Sequence, residues 1–199
     1  MEEKINMLVL NDIGRGILRY LQKNLPSIFN KNAMVSKHVI VPTSFYNMEK
    51  SQYDGRKLLA FLTENLTLKE VKDINLAIFD RDLFTGNLDY VFSLATPFPQ
   101  ICVISTIRLH PHFEKDYFQA GLKKRKMGRF PLPIRRLTGN EKILYYERIL
   151  KEAVHGIGHT LGLVHCGDTQ CIMSPSSLLE NIDKKAVGFC RLCSKTISD

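Results

Sequence analysis

Tryptophan is absent from the 199-residue chain, and so is any apolar run long enough for a membrane. The longest runs, residues 7–10, 76–79 and 101–104, fall far short of the ~20 residues a spanning helix needs. No membrane partner is expected. The opening Met1-Glu2-Glu3-Lys4 lacks a basic segment leading into an apolar stretch and a small-residue cleavage site, so a cytoplasmic location is expected. Internal repeats and low-complexity linkers are missing too. One domain over residues 1–199 is therefore expected: a sheet-and-helix half, 1–140, followed by a long helix and a cysteine-rich tail, 141–199.

Acidic residues are in deficit, 20 against 28 Lys and Arg, for a net charge of +8. That excess suits nucleic acid or acidic surfaces without choosing between them. Cysteine is scarce upstream, where Cys102 stands alone, whereas Cys166, Cys171, Cys190 and Cys193 crowd the last 34 residues. In a reducing compartment such crowding argues for metal rather than disulfides. What is present excludes disorder: 44% of the residues are apolar and 24% charged, enough for a substantial core.

The hydrophobic pattern predicts a strand at 4–10, then a helix capped by Asn11-Asp12 and interrupted by Pro26. A second strand (35–41), a second helix (54–66) and a third strand (75–79) follow. Two further strands are predicted at 89–95 and 101–105. Strands alternating with helices imply an α/β (α+β) fold on a mostly parallel sheet, with room for one antiparallel neighbour at 89–95. Residues 106–138 carry no clear element. A long helix is predicted at 141–161, introduced by Thr138-Gly139-Asn140 and closed by Gly162, and a short one at 176–184.

On the long helix His155 and His159 stand four residues apart, so both imidazoles leave one face at a separation that a single ion can bridge. Gly162 can then turn the chain in the left-handed region, and His165 can swing back toward the same ion. Three neutral nitrogens would hold zinc and leave a fourth, tetrahedral position for water. The pattern H-x-x-x-H-x-x-G-x-x-H is that of the metzincin peptidases, except that their glutamate after the first histidine is here Gly156. Losing a positioned general base costs ~10²- to 10⁴-fold in rate. Gly156 is no gain for the helix either, since a helical glycine costs about 1 kcal/mol relative to alanine. Divergence to a binding role and deliberate inactivation both stay open. Glu152, three residues before His155, lies a turn too far back for a base and reads as a partner to a histidine N–H or a solvated charge.

Cys166 and Cys171, with Cys190 and Cys193, form two short-spaced pairs, and four thiolates close a tetrahedral zinc site. This second ion is expected to be structural, pinning the tail and positioning His165. The cofactor expectation is thus two Zn²⁺ ions.

These residues resemble the archaemetzincins. Cys166 directly after the third histidine, Cys171 after four intervening residues, Met173 two later and the terminal Cys190-x-x-Cys193 all match that family's extended motif. Residues 80–84 and 89–95 resemble its segment before and along the edge strand. The resemblance implies a metzincin-like zincin domain: a twisted, mostly parallel five-stranded sheet, an active-site helix beneath it, and a cleft whose antiparallel edge strand grips an extended peptide. It also implies that Met173 is the Met-turn residue packing under the histidines. The function implied is a zinc metallopeptidase acting on a peptide or protein substrate, its activity impaired at Gly156. The alternatives are a zinc-stabilised peptide-binding protein without catalysis and, less favoured, a basic nucleic-acid module. A monomer is expected.

Three weaker features complete the reading. The basic run 123–129 with Arg135-Arg136 reads as a solvated loop, without the interleaved aromatics of a nucleic-acid surface. His110 and His112 read as surface loop, with lining of the cleft as the other choice. Cys102 reads as a small core residue.

Overall fold

A computed structural model describes residues 3–67, 70–113 and 137–198. Its main sheet contains β1 (Ile5–Leu10), β2 (Ala33–Val39), β5 (Ile74–Phe79), β8 (Ser93–Pro97) and β9 (Gln100–Ser105), in the order β2-β1-β5-β9-β8. All neighbours are parallel except β8, which runs antiparallel to β9 along one edge. This is the five-stranded sheet implied by the resemblance.

The central strands are apolar over most of their length because both faces are covered. On one face Met7, Val9, Leu76, Ile78, Cys102 and Ile104 pack with α1 (Arg15–Phe29) and the long helix α3 (Gly139–Thr160). On the other, Leu8, Leu10, Ala77, Phe79, Ile101 and Val103 meet Leu58 and Leu62 of α2 (Gly55–Glu64). The two-residue alternation of the strands sorts their side chains between these two cores.

Three predictions need correction. Pro26 does not interrupt α1, which runs to Phe29 and ends at Asn30 in the left-handed region. A proline so near the C-terminal end removes only one donor, and the fully buried Leu21 and Leu25 hold that turn against the core. The same helix is not capped by Asn11-Asp12; Gly14 is its N-cap, and Asn11 turns the chain with φ of 62°. In α2 the N-cap is Asp54, whose carboxylate accepts from the N–H groups of Arg56 and Lys57.

The single strand predicted at 89–95 is two. β7 (Leu88–Val91) pairs antiparallel with β6 (Leu83–Thr85), and the chain turns at the buried Phe92 to enter β8. The carbonyl of Phe92 accepts from Ser105 N–H at 2.8 Å, anchoring that turn on β9. β7 thereby joins a second, four-stranded sheet with β6, β3 (Tyr46–Asn47) and β4 (Gln52–Asp54). Strands of two to four residues carry too little alternation to be read from sequence.

The long helix begins at a capping box, in which Glu141 accepts from the N–H and hydroxyl of Thr138 at 2.8 and 2.6 Å. Every residue from Arg148 to Gly158 is buried beneath the sheet. Buried charges on this helix hold the tail. Arg148 donates twice to the Asp183 carboxylate at 2.7 Å, and Lys151 caps the carbonyls of Ile182 and Asp183 at the end of α4 (Leu179–Lys184). The last element is α5 (Arg191–Ser198). Among the described residues, no helix is long and apolar enough to cross a membrane.

Candidate metal centre and cleft

His155 and His159 leave one face of α3, and the helix ends at Thr160 with Leu161 as its C-cap. Gly162, at φ of 86°, turns the chain there in a conformation that costs glycine little. Leu163 N–H reaches back to the Gly158 carbonyl at 3.0 Å, and His165 is brought beside the other two histidines. The three ring centroids lie 4.6 to 5.4 Å apart, and each ring offers a nitrogen within 4.8 Å of the others.

Hydrogen bonding decides which nitrogen faces the centre. His155 Nδ1–H donates to the Ile172 carbonyl and His159 Nδ1–H to the Leu163 carbonyl, both at 2.8 Å. A carbonyl only accepts, so each Nδ1 carries the proton and each Nε2 holds a lone pair. Those two Nε2 atoms lie 3.0 Å apart. Two lone pairs at that distance repel unless a cation lies between them, and a zinc ion with ~2.0 to 2.1 Å bonds requires a similar separation. Burial, with the nearby Lys185 charge, pushes His155 down to about 3, and burial likewise lowers His165, so both rings resist protonation.

Glu152 is not the histidine partner expected from the sequence. The rings are oriented by backbone carbonyls, while Glu152 is buried and accepts from Ser93 Oγ of β8 at 3.2 Å. Nor is Glu152 a solvated charge.

Met173 is fully buried, and Cys166 N–H donates to its carbonyl at 2.9 Å. Its thioether lies so close to α3 that a Cβ on Gly158 would stand 2.4 Å from Met173 Sδ. The glycine in the helix is thus explained by a close approach. At Gly156 a Cβ would point at the sheet, 3.2 Å from Cys102 Sγ and 3.3 Å from Cys102 Cβ. Cys102 is indeed a core residue, and burial raises its thiol pKa well above the usual range.

The four tail cysteines also converge, with their sulfurs within 4.8 Å of one another and Cys166 Sγ 3.8 Å from Cys190 Sγ. That separation is the edge of a tetrahedron with bonds of ~2.3 Å, the zinc–thiolate length. Backbone N–H groups of Asp168 and Cys190 point at the sulfurs of Cys166 and Cys171. Cys190 is drawn down to about 7 by the backbone hydrogen bond at Cys193, whereas burial raises Cys193. His165 and Cys166 are adjacent, so the two clusters share one turn of chain.

A cleft of 1110 Å³ opens over the histidines. Its walls are β7 and β8 on one side and the segment from Pro175 to Asn181 on the other, with Tyr90 donating its hydroxyl proton to the Ser177 carbonyl across the opening. Sequence reasoning missed Tyr90, Ser93, Ser176 and Asn181, whose common position is set by contacts 60 to 90 residues apart. Arg108 fixes Tyr90 from behind, stacking over its ring at 3.8 Å while donating to Asp82 at 2.6 and 2.7 Å.

His110 and His112 do not line the cleft. His110 is buried against Tyr145, contrary to the surface-loop reading, and His112 contacts the Glu141 carboxylate at 2.8 Å. The basic run 123–129 and Arg135-Arg136 lie outside the described residues.

Comparison with known proteins gives this geometry a family. The sequence profile of Peptidase family M54 matches residues 15–199. The archaemetzincin of Methanocaldococcus jannaschii is 30% identical over 190 residues, which span 96% of this chain and 90% of that protein. The crystal structure of archaemetzincin from Archaeoglobus fulgidus, complexed with malonate, is similar with a TM-score of 0.72 at 27% identity, covering 97% of this chain and 99% of the other. That of Methanopyrus kandleri archaemetzincin gives 0.74 at 27% identity over 98% and 94%. Sequence and fold agree over nearly the whole length, and the chain belongs to peptidase family M54, the archaemetzincins.

Proposed function

We propose that the chain is a zinc metallopeptidase scaffold whose hydrolytic step is crippled at Gly156. The observation that carries the reading is the pair of Nε2 lone pairs 3.0 Å apart at the floor of an open cleft. His155, His159 and His165 would hold one zinc ion; Cys166, Cys171, Cys190 and Cys193 would hold a second, closed one that anchors the tail. The first ion, when bound, polarises a peptide carbonyl and lowers the pKa of its water. The Ile172 and Leu163 carbonyls hold the imidazoles in the required tautomer. β8 pairs on one side only in the main sheet, and its other edge suits main-chain hydrogen bonds to an extended peptide. Among the described residues, none is placed to take the proton from the attacking water. Gly156 has no side chain, and Glu152 is held one turn back by Ser93. None of the five cysteines is in a disulfide, which suits a reducing, cytoplasmic setting.

A second reading, peptide binding without cleavage, is favoured by one contact. Cys102 occupies the space a side chain at 156 would enter. The two separate in one experiment: incubate a mixed peptide library with the zinc-loaded protein, with Gly156→Glu, and with Gly156→Glu/Cys102→Ala, assaying metal content alongside. About two zinc ions per chain are expected, with cleavage ~10²-fold or more faster once the glutamate is restored, most clearly in the double variant. If no variant cuts while all hold two ions, peptide binding replaces hydrolysis as the function.

A further inference from the structure

The part of the cleft lined by His155 and Glu152 carries polar groups that the metal centre does not use. Glu152 lies three residues before His155 on α3, so the two side chains share a helix face one turn apart. Pocket-lining neighbours are Tyr90, Ser93, Pro175, Ser176 and Asn181. The Glu152 side chain is almost wholly enclosed, at 2% exposure for the residue. Its Oε2 accepts one hydrogen bond from Ser93, and its Oε1 has no hydrogen-bond partner among the described residues. The buried hydroxyl of Ser176, also lining the pocket, is likewise unpartnered.

A carboxylate offers about four acceptor positions, and leaving it under-bonded in a buried site costs free energy that a matching donor would return. Burial raises the Glu152 carboxyl above its ordinary range and the Lys185 charge opposes that through space, but among the described residues the Lys185 ammonium makes no hydrogen bond. The unmet demand in the pocket is therefore for N–H donors. The Tyr90 ring and Pro175 offer apolar surface suited to a flexible alkyl stem that ends in such donors.

Resting on the reading of the cleft as a peptide site, we propose that this pocket is a subsite for a basic side chain, arginine or lysine, on the peptide residue next to the metal-bound group. A guanidinium can bridge Glu152 Oε1 and the Ser176 hydroxyl, whereas an aliphatic side chain leaves both unpaired and an acidic one meets like charge. Glu152 acts in recognition and takes no part in proton transfer.

The test uses the zinc-loaded protein and four compounds of the form hydroxamate–X–amide, with X being Arg, Lys, Leu or Glu, their affinities measured by calorimetry. Arg and Lys are expected to bind about tenfold or more tighter than Leu, with Glu weakest. Glu152→Gln should cut the preference for Arg over Leu to about threefold or less, and Ser176→Ala should weaken Arg alone. Leu binding as tightly as Arg to the unaltered protein overturns the inference while leaving the peptide cleft intact, and this arm does not depend on any variant folding. A preference for Arg unchanged in zinc-loaded Glu152→Gln overturns it as well. Failure of every hydroxamate to bind a protein holding two zinc ions instead overturns the proposed function, and the subsite with it.

Discussion

The histidine and cysteine clusters touch at the peptide bond between His165 and Cys166, yet they are built on opposite plans. Two of the three histidines sit on one helix, oriented by the backbone carbonyls of Ile172 and Leu163. The cysteines come from three separate stretches of irregular tail and helix end; Cys171 and Cys193 are buried against the core, whereas Cys166 and Cys190 are only partly buried. The first cluster is a preformed site on a scaffold. The second is part of the scaffold, and its order depends on what the sulfurs bind.

The sharpest way to break that contrast is to remove one ligand from each. Cys171→Ser is expected to lose about one zinc per chain and to lower Tm by more than about 10 °C, because structural zinc contributes folding energy directly. His159→Ala should also lose about one zinc, with a Tm change of only a few degrees. Equal melting losses in the two variants, by calorimetry with metal analysis, would erase the distinction.

A smaller effect probes how tightly the tail presses on the helix. From helix propensity alone Gly158→Ala should stabilise by about 1 kcal/mol. The structure reverses the sign: the new methyl group would stand 2.4 Å from Met173 Sδ, and overpacking should cost about 1–3 kcal/mol in chemical denaturation. A stabilised variant would mean that Met173 moves away freely.

The smallest effect is in pH. In the metal-free folded protein His155 is held neutral to about 3 by burial, against 6.5 for an unperturbed imidazole. Between those values the unfolded chain binds more protons, so stability falls as pH falls below 6.5, by about 1 kcal/mol from pH 7.5 to 5.5. Above 6.5 the group makes no difference. His159→Ala should keep this slope and His155→Ala should lose it, measured by denaturation at the two pH values.

Much of the candidate site was legible because its signal is local. The spacing from His155 to His159 is one helical turn, and Gly162 announces the stop that brings His165 back. The cysteine pairs, too, declare a tetrahedral set by residue type. The strand at 89–95 was misread because its alternation continues through Phe92, while the change of sheet there is dictated by the partner strands. Glu152 was misread because a charged residue on a helix is usually solvated, and only the packing of β8 over it reveals the burial.

The sequence by itself determined the donor types, their order and the missing glutamate, since metal chemistry and helical geometry need only residue identity and short spacing. Only the tertiary structure decided the rest. It set Cys102 against Gly156, pressed Met173 into the groove at Gly158 and enclosed an unpaired Glu152 oxygen in the cleft. Each of these depends on which distant surfaces share a core, and short-range patterns along the chain do not encode that.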